Sequence, residues 1–513
     1  MYEIVEGGFR VRLDREPQRL RLRVEESDHF LFDQPLPGEG HVCAGELMYR
    51  AKEIDDGVVA ALQLAAQRGT GKLPAKARML ATLADETRDR LLGAACILGG
   101  IKKPGGLFSR KLPGEDEAKA LLEDEGKTKP LGFYTWSDSL RRLFRQDRAL
   151  QDELPSPQRV REVLRADPDL MRAYEAHLAF EARVANPPAE PDLRTGERLL
   201  PAARAPERTL ILALYGNSPI PDGFDLMSEL VRRVRSGAVD LAPKPDSGFY
   251  DHQLAPLPAL LSPRRSDRLS FDESWEKRLE SLARAAWALA RETQIKSLDA
   301  VMAGAAPPPP RLVHLHPALR VEPLPEYYAL RADSYRFLRE AMAEVIGESA
   351  LDGIARLTPR GESGESVLQS LRETESLFRG ARAAALEDLG FAAPPGAAEF
   401  ARWAAKRPPV GDGRMMVPVF FDVQRRKYKV WALLGWEDAP ALIDFVERPR
   451  VVSIEKLDRN AGEAQLAWVS GGDSYWTPVV VELYVRKLLD RDQLRALCEK
   501  HGDVSAIMAD LQS

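Results

Sequence analysis

The segment KPDSGFYDHQ, residues 244 to 253, gathers side chains that nucleophilic and acid–base catalysis uses. Ser247 offers a hydroxyl nucleophile, His252 a base, and Asp251 a carboxylate that orients the base. Asp246 and Tyr250 complete this set of catalytic candidates. A hydrolase site is therefore one interpretation of the segment.

The same segment also has the pattern of a turn. Pro245 at the second position and Gly248 at the end are typical of a β-turn. Asp246 or Ser247 then caps the short helix that follows. Neighbouring residues on a helix project about 100° apart, so the adjacent acid and base do not face each other. The spacing favours a turn and a helix cap over catalysis, although the segment is the densest polar and aromatic cluster of the chain.

A second candidate site is the segment VHLHP, which places His314 and His316 two residues apart. On a strand both imidazoles point to one face, where a third ligand such as Glu322 would complete a metal site. No HExxH or similar acidic motif accompanies them, so hydrogen-bonded structural histidines are the simpler interpretation. The sequence identifies no cofactor.

Two helical sets of large side chains could each line a groove. One set is Tyr327, Tyr328 and Tyr335, and the other is Arg141, Arg142, Arg145 and Arg148. The simpler interpretation places the tyrosines at the edge of the core, with their hydroxyls in water, and the arginines on a solvated helix face.

The elements that position these candidates are predicted to be mainly helical. The alternation in RLRLRV, residues 19 to 24, predicts a strand near the N-terminus. The segment ARMLATLADETRDRLLGAACIL predicts one helix, which Gly99 and Gly100 end. Two later helices carry apolar stripes, Trp136, Leu140, Leu143, Phe144 and Leu150 in the first and Trp275, Leu279, Leu282, Ala286 and Leu289 in the second.

Two further segments predict strands. TLILALYGNSPIPDG, residues 209 to 223, predicts a short buried strand followed by a turn. From about residue 411 the pattern changes again, and MMVPVFFDV-QRRK-YKVWALLGW predicts a β-hairpin.

The fold class that follows is a mainly α, multi-domain protein. We expect an N-terminal β element, a long helical middle and a C-terminal α+β domain with an antiparallel sheet. The predicted regions are 1–110 (β element plus helices), 117–303 and 312–406 (both helical) and 411–513 (α+β). A chain of 513 residues is too long for one ordinary core. The segment GAAPPPPR, residues 304 to 311, predicts a polyproline spacer.

Composition restricts the partners. The chain is 44% hydrophobic and 29% charged, as ordinary soluble proteins are, and its net charge of −5 gives no reason to expect nucleic acid as the main ligand. No apolar run is long enough for a membrane span.

Cys43, Cys96 and Cys498 lie far apart, which suits the cytoplasm and excludes a disulfide framework. Arginine greatly outnumbers lysine, which is typical of GC-rich bacterial genomes.

Two function classes remain open. The first is a non-enzymatic interaction or scaffold component of a multi-protein system, whose partners are other proteins. It rests on the many amphipathic helices, the Pro-rich spacers and the weakness of every catalytic motif. The second is a hydrolase, metal-dependent or not, whose site is assembled from distant segments. The sequence leaves the oligomeric state open.

Overall fold

The structure is a computed structural model of the chain. It describes residues 42–101, 112–262, 273–298, 320–388 and 391–406, with short gaps at 43, 217, 219, 222–223 and 322–323, and position 500. Outside these ranges the structure defines only the bounds of some strands. His314, His316 and Glu322, with the spacer and most of the predicted C-terminal domain, lie outside the described residues.

The described chain is mostly helical, as the periodicity predicts. The helices are α1 (Ala44–Arg68), α2 (Lys76–Thr87), α3 (Arg90–Gly99), α4 (Glu115–Glu123), α5 (Glu125–Thr128), α6 (Asp138–Ala149), α7 (Pro157–Ala166), α8 (Pro168–Val184), α9 (Pro206–Tyr215), α10 (Leu226–Arg235), α11 (Phe249–Leu254), α12 (Leu257–Leu261), α13 (Glu273–Thr293), α14 (Pro325–Val345), α15 (Glu348–Asp352), α16 (Val367–Asp388) and α17 (Ala397–Lys406), with a short 3₁₀ helix at Gly132–Thr135. Among the described helices, none combines the length and the apolar character needed to cross a bilayer.

The strands are β1 (Tyr2–Val5), β2 (Gly8–Arg12), β3 (Pro17–Val24), β4 (Ser27–Pro35), β5 (Ala355–Thr358), β6 (Gly361–Ser366), β7 (Met415–Val423), β8 (Arg426–Leu434), β9 (Pro440–Ile443), β10 (Val451–Asp458) and β11 (Gln465–Ala467). Only β5 and β6 lie in the part of the chain whose side chains are described. The N-terminal β element and the C-terminal α+β domain therefore remain predictions.

Two clusters of buried apolar side chains form the described core. The larger cluster joins α1, α11, α13, α14 and α16, and its largest fully buried side chains include Trp287, Tyr328 and Tyr335. The smaller cluster joins α2, α3, α7 and α8 around Leu80, Leu92 and Tyr174. Burial of these apolar faces is the main force that holds the helices together.

The antiparallel hairpin of β5 and β6 packs on α1, and the sequence did not predict it. Gly57, in the middle of α1, makes this packing possible. A Cβ at this position would lie 2.2 Å from the carbonyl oxygen of Leu357, so only a glycine leaves room for the strand.

The predicted helix across residues 77 to 98 is two helices, α2 and α3. Arg88 adopts the left-handed conformation with φ of 56°, and Asp89 caps α3. One carboxylate oxygen of Asp89 accepts hydrogen bonds from the amides of Leu91 and Leu92 at 3.0 and 3.1 Å. The prediction of one helix was wrong because a buried cap starts a new helix inside a continuous apolar pattern.

Replacement of the Asp89 cap is expected to destabilise the protein. The second carboxylate oxygen of Asp89 accepts the amide of Ser156 at 3.0 Å, and the residue is only 1% exposed. Asp89→Ala leaves these buried donors without a partner and should lower the free energy of unfolding by about 2–3 kcal/mol. Asp225→Ala removes the exposed cap of α10 and should lower the free energy of unfolding clearly less than Asp89→Ala does. Equal costs in urea denaturation would contradict this assignment.

The segment predicted as a buried strand at residues 209 to 223 is instead α9 and the loop that follows it. Leu210 and Ile211 are buried, but Leu212 and Leu214 are 47% and 38% exposed. The prediction was wrong because it assumed that an uninterrupted apolar segment is buried, whereas part of this segment is exposed.

Candidate functional site

The cluster at 246–252 lies around the start of α11 and forms hydrogen bonds among its own members and with neighbouring loops. The hydroxyl of Ser247 donates to Asp251 Oδ2 at 2.6 Å, and Asn186 Nδ2 donates to Asp251 Oδ1 at 2.7 Å. Arg204 forms ion pairs with Asp246 at 3.1 Å and with Asp251 at 3.2 Å. The Ser247 proton is thus directed at a carboxylate that an arginine already neutralises.

The predicted base is directed elsewhere. The ring of His252 stacks on Phe337 with centroids 3.8 Å apart and an interplanar angle of 14°. Burial lowers the pKa of His252 to about 4, against the opposing effect of Asp251 and Asp333. The structure therefore brings Ser247 and Asp251 together, and it does not orient His252 toward the serine as a triad requires.

The turn prediction is correct in part. The amide of Ser247 donates to the carbonyl of Lys244 at 3.0 Å, which closes a turn. The N-cap of α11 is Gly248, with no side-chain cap, so the prediction that Asp246 or Ser247 caps the helix was wrong. Ser247 is only 1% exposed, and its hydroxyl also accepts the amide of Lys244 at 2.9 Å, so it serves the turn instead.

Tyr250 belongs to a separate buried cluster. Its hydroxyl donates to Glu207 Oε1, which also accepts Trp287 Nε1 at 3.0 Å and pairs with Arg291 at 3.1 Å. Burial and the charge of Glu207 hold the pKa of Tyr250 well above its usual range. This tyrosine stays protonated and links α11 to α9 and α13.

The sequence did not reveal a buried cluster of two lysines and two carboxylates. Lys76 and Lys296 both contact Asp147 Oδ2, at 2.7 and 2.6 Å. Both also contact Glu181 Oε1, at 3.4 and 3.1 Å. The cluster connects the start of α2, the end of α6, α8 and the turn after α13.

Each charge in this cluster has its partners. Lys296 Nζ also donates to Gln63 Oε1 at 2.9 Å, and Gln63 Nε2 donates to Glu181 Oε2 at 3.1 Å. Burial alone would lower the pKa of Lys296 and raise that of Asp147. The opposite charges outweigh burial, so the pKa of Lys296 is raised and the pKa of Asp147 is lowered.

These shifts decide the chemistry that the cluster can do. A nucleophilic lysine must lose its proton, and a general acid must carry one. Here the ammonium and the carboxylate are both held in their charged forms. The four groups therefore act as a structural ion cluster that fixes the packing of the helices.

A narrow cleft of about 40 Å³ borders this cluster. Asp147, Glu181 and Lys296 line it, and so does Asn186, which bonds to Asp251. The cleft is large enough for a few water molecules. It links the cluster predicted from the sequence with the ion cluster that the sequence did not reveal, but it is too small for an ordinary substrate.

The predicted tyrosine set differs from the expectation, and the arginine set agrees with it in part, since Arg141 and Arg142 are exposed. Tyr327, Tyr328 and Tyr335 are at most 2% exposed, so they are core residues, and Tyr335 donates its hydroxyl to Asp55 at 2.8 Å rather than to water. Asp55 also pairs with Arg331 on the same helix as the tyrosines. Arg148 is 6% exposed and donates to the carbonyl of Leu298 at 3.1 Å, so it does not belong to a solvated face.

The end of α9 exposes several large apolar side chains. We call the described residues of the range 212–221, which leave out 217 and 219, the α9 tip. No residue from Thr209 to Pro221 is charged, in a chain that is 29% charged. Leu212, Leu214 and Ile220 are 47%, 38% and 42% exposed. Surfaces that lack charge and expose large apolar side chains are typical of the centres of protein interfaces.

The end of α9 lies at the surface of the protein, where residues 212–214 are all exposed. Gly216 has a φ of 57°, which reverses the chain after the helix, and a Cβ there would meet no atom within 4 Å. Tyr215 anchors the base of the tip by an edge-to-face contact with Phe224, with ring centroids 5.3 Å apart.

Within the described residues, no group of three or more His, Cys, Asp and Glu side chains is arranged to hold a metal ion. The metal hypothesis for His314 and His316 concerns residues outside that part of the chain and stays a prediction. No protein-family model, curated protein or solved structure matches this chain.

Proposed function

We propose that this protein is a non-enzymatic interaction component of a multi-protein assembly and that it contacts a partner through the α9 tip. The observation that carries the proposal is the coincidence of two properties at the described residues of 212–221: exposed leucine and isoleucine side chains and the absence of charge. Each alone is common on protein surfaces, whereas their combination is typical of a contact site.

The buried charges support the same proposal. In the two clusters around Asp147 and Asp251 the carboxylates bond to lysine, arginine and serine side chains of the same cluster. Catalytic groups need at least one atom directed at a substrate. Groups that satisfy each other in this way favour a structural role.

The proposal predicts that charge at the tip abolishes partner binding. The full-length protein, immobilised, should retain a specific partner from an extract of its source cells. Leu212→Glu with Leu214→Glu should reduce the retained amount at least tenfold, because a carboxylate in an apolar contact must be desolvated.

Leu122→Glu is the matched control, because Leu122 is 46% exposed on α4 and lies outside the tip. The control should retain the partner and both variants should melt at the temperature of the wild type. Equal retention by the tip variant and the control would overturn the proposal.

The hydrolase remains the second candidate, since Asn186 connects Asp251 to the cleft. Its metal-dependent form is tested by metal analysis of the purified protein and of His314→Ala with His316→Ala. Stoichiometric zinc or iron that the double variant loses would favour it. Metal-free protein with equal stability of both forms would leave the interaction proposal ahead.

The proposal also includes the location of the protein, its division into regions and its architecture. The chain is a cytoplasmic, bacterial-type protein, which the widely spaced cysteines and the arginine excess support. Its regions are 1–110, 117–303, 312–406 and 411–513. The N-terminal β element and the C-terminal α+β domain, the latter with an antiparallel sheet, flank the helical middle.

A further inference from the structure

We propose that a layer of buried polar groups around His177 is an acid-sensitive seam, at which the smaller core cluster separates from the larger one when His177 takes up a proton. The layer consists of Lys76, Asp147, His177, Glu181 and Lys296, and we call it the polar layer. The proposal goes beyond the proposed function and is independent of the α9 tip.

The first observation is the position of the polar layer on α6. Phe144 belongs to the larger apolar cluster and Ala149, at the end of the helix, to the smaller one. Asp147 lies between these two residues and is only 3% exposed. The helix therefore passes from one cluster to the other at a buried carboxylate.

The same change of cluster occurs on α8. Tyr174 belongs to the smaller cluster and Phe180 to the larger one, and His177 lies between them. Lys76 is the first residue of α2, which packs in the smaller cluster, whereas Lys296 follows α13, which packs in the larger one. Each side of the seam thus supplies one of the two lysines that contact the carboxylates.

The second observation is that His177 has no place for a positive charge. It is 0% exposed, and neither ring nitrogen makes a hydrogen bond of good geometry within the described residues. The groups that act on its ring are Lys76 and the backbone of Pro74 at the start of α2, Glu181 on α8 and Asp147 on α6. Because the two lysines and two carboxylates of the layer already balance, a protonated imidazole adds a third positive charge that no carboxylate is left to neutralise.

The other titratable groups at the layer do not reverse this effect. Against burial, the two lysines lower the pKa values of Asp147 and Glu181 from 3.8 and 4.5, so these carboxylates respond mainly below pH 5. Tyr134, which lies beside the layer, has a pKa raised by burial, so its hydroxyl stays neutral. Between pH 7.5 and 5, His177 is therefore the group of the layer that responds to acid.

The third observation is that the two clusters have separate helices. Of the described helices, α2, α3 and α7 contribute buried side chains to the smaller cluster alone, and α14 and α16 to the larger one alone. The polar layer between the clusters buries less apolar surface than either of them, so separation there costs less than unfolding of the whole protein. Because Lys76 and Pro74 lie near the ring of His177, movement of α2 lets water reach it.

The sign and size of the acid effect follow from linkage. Burial, together with the charge of Lys76, lowers the pKa of His177 from 6.5 to about 4. The opened form, in which the ring is hydrated, therefore takes up the proton first as the pH falls below 6.5. Between pH 7.5 and pH 5 the ratio of opened to closed protein should rise about 30-fold.

The test is hydrogen–deuterium exchange of the full-length protein at pH 7.5 and pH 5, with each rate corrected for the intrinsic rate at that pH. At pH 5 the amides of α2, α3 and α7 should exchange about 30-fold faster than at pH 7.5. They should also be at least about tenfold less protected than the amides of α14 and α16, since the larger cluster stays closed.

Three variants assign this response. His177→Leu and His177→Gln, which cannot take up a proton, should both lose the acceleration at α2, α3 and α7. His252→Leu is the matched control, because the pKa of His252 is also lowered to about 4 but its ring stacks on Phe337 of α14, which packs on the larger cluster. This control should keep the acceleration at α2, α3 and α7.

Two results would overturn the proposal. Equal protection of all five helices at pH 5 would mean that the protein opens as one unit, without a seam. An acceleration that persists in both His177 variants, or that the His252 control loses, would show that His177 is not the group that responds to acid.

Discussion

Asp147→Asn is expected to lower the free energy of unfolding by about 3–5 kcal/mol at neutral pH, the cost of leaving a buried charge without its partner. Lys76 and Lys296 both contact the carboxylate that this change removes, and both are at most 3% exposed in their side chains. After the change, two buried ammonium groups share the single carboxylate of Glu181. Urea denaturation at constant pH measures the loss.

Two further variants test whether the loss of stability comes from the buried ion cluster. Asp169→Asn breaks the exposed ion pair with Arg172, whose side chain is 70% exposed, and should cause no measurable loss. Asp147→Asn with Lys296→Met removes one charge of each sign and should be less destabilised than the two single losses combined, because the residues interact directly. A cost for Asp147→Asn no larger than that for Asp169→Asn would show that the cluster does not hold the helices together.

The second large effect is a loss of stability in mild acid that originates at His177. This residue on α8 is 0% exposed, and neither ring nitrogen makes a hydrogen bond of good geometry within the described residues. The backbone of Pro74 lies close to the imidazole of His177 and favours its charged form only weakly. Burial lowers its pKa from 6.5 to about 4, and the charge of Lys76 acts in the same direction, against Glu181 and Asp147. The folded protein therefore resists protonation of this imidazole.

The sign follows from the depressed pKa. His177 contributes its full stability above pH 6.5, and that contribution is lost as the pH falls toward 4, because the unfolded chain takes up the proton first. The shift corresponds to about 3 kcal/mol over this interval. His252, with a pKa lowered to about 4, contributes in the same direction, but it is less buried.

His177→Leu should remove the part of this slope that His177 contributes and leave the part that comes from His252. An apolar side chain of similar size leaves no unpaired nitrogen, so the variant should match the wild type at pH 7.5 and exceed its stability at pH 5. Denaturation curves at half-unit pH steps measure both quantities. A wild-type slope that persists undiminished in His177→Leu would assign the acid loss to other groups.

The helical core is the part of the fold that local pattern predicts best. In α6, Leu140, Leu143, Phe144 and Leu150 follow the predicted stripe, and each is at most 3% exposed. In α13 the stripe included Leu279 and Leu282, which are buried, but omitted Trp287, which is 0% exposed. This helix contacts neighbours on more than one side, so its buried face is wider than a single stripe.

The ion cluster could not be predicted from spacing, because its members come from four distant segments. One signal did exist. Asp147 lies four residues after Leu143 and three after Phe144, on the apolar face of α6, where a charge must find a buried partner. The sequence does not say that the partners are Lys76 and Lys296, since only the tertiary fold brings them within reach.

The prediction of a buried strand at the α9 tip failed for a related reason. Hydrophobic periodicity detects a face that needs burial, but TLILALYG is apolar throughout and has no periodicity that separates inside from outside. Whether such a run lies in the core or on the surface depends on its neighbours in space. The absence of charge was visible in the sequence. Only the structure shows that the uncharged segment is exposed.

The measurement that tests the central claim most directly is hydrogen–deuterium exchange of the protein alone and in the complex isolated with its partner. We expect slower exchange in the complex at residues 210–221 and unchanged exchange at 178–188 and 294–298, which line the cleft. Slower exchange at the cleft segments, with no change at the α9 tip, would contradict the account and place the functional site at the buried charges.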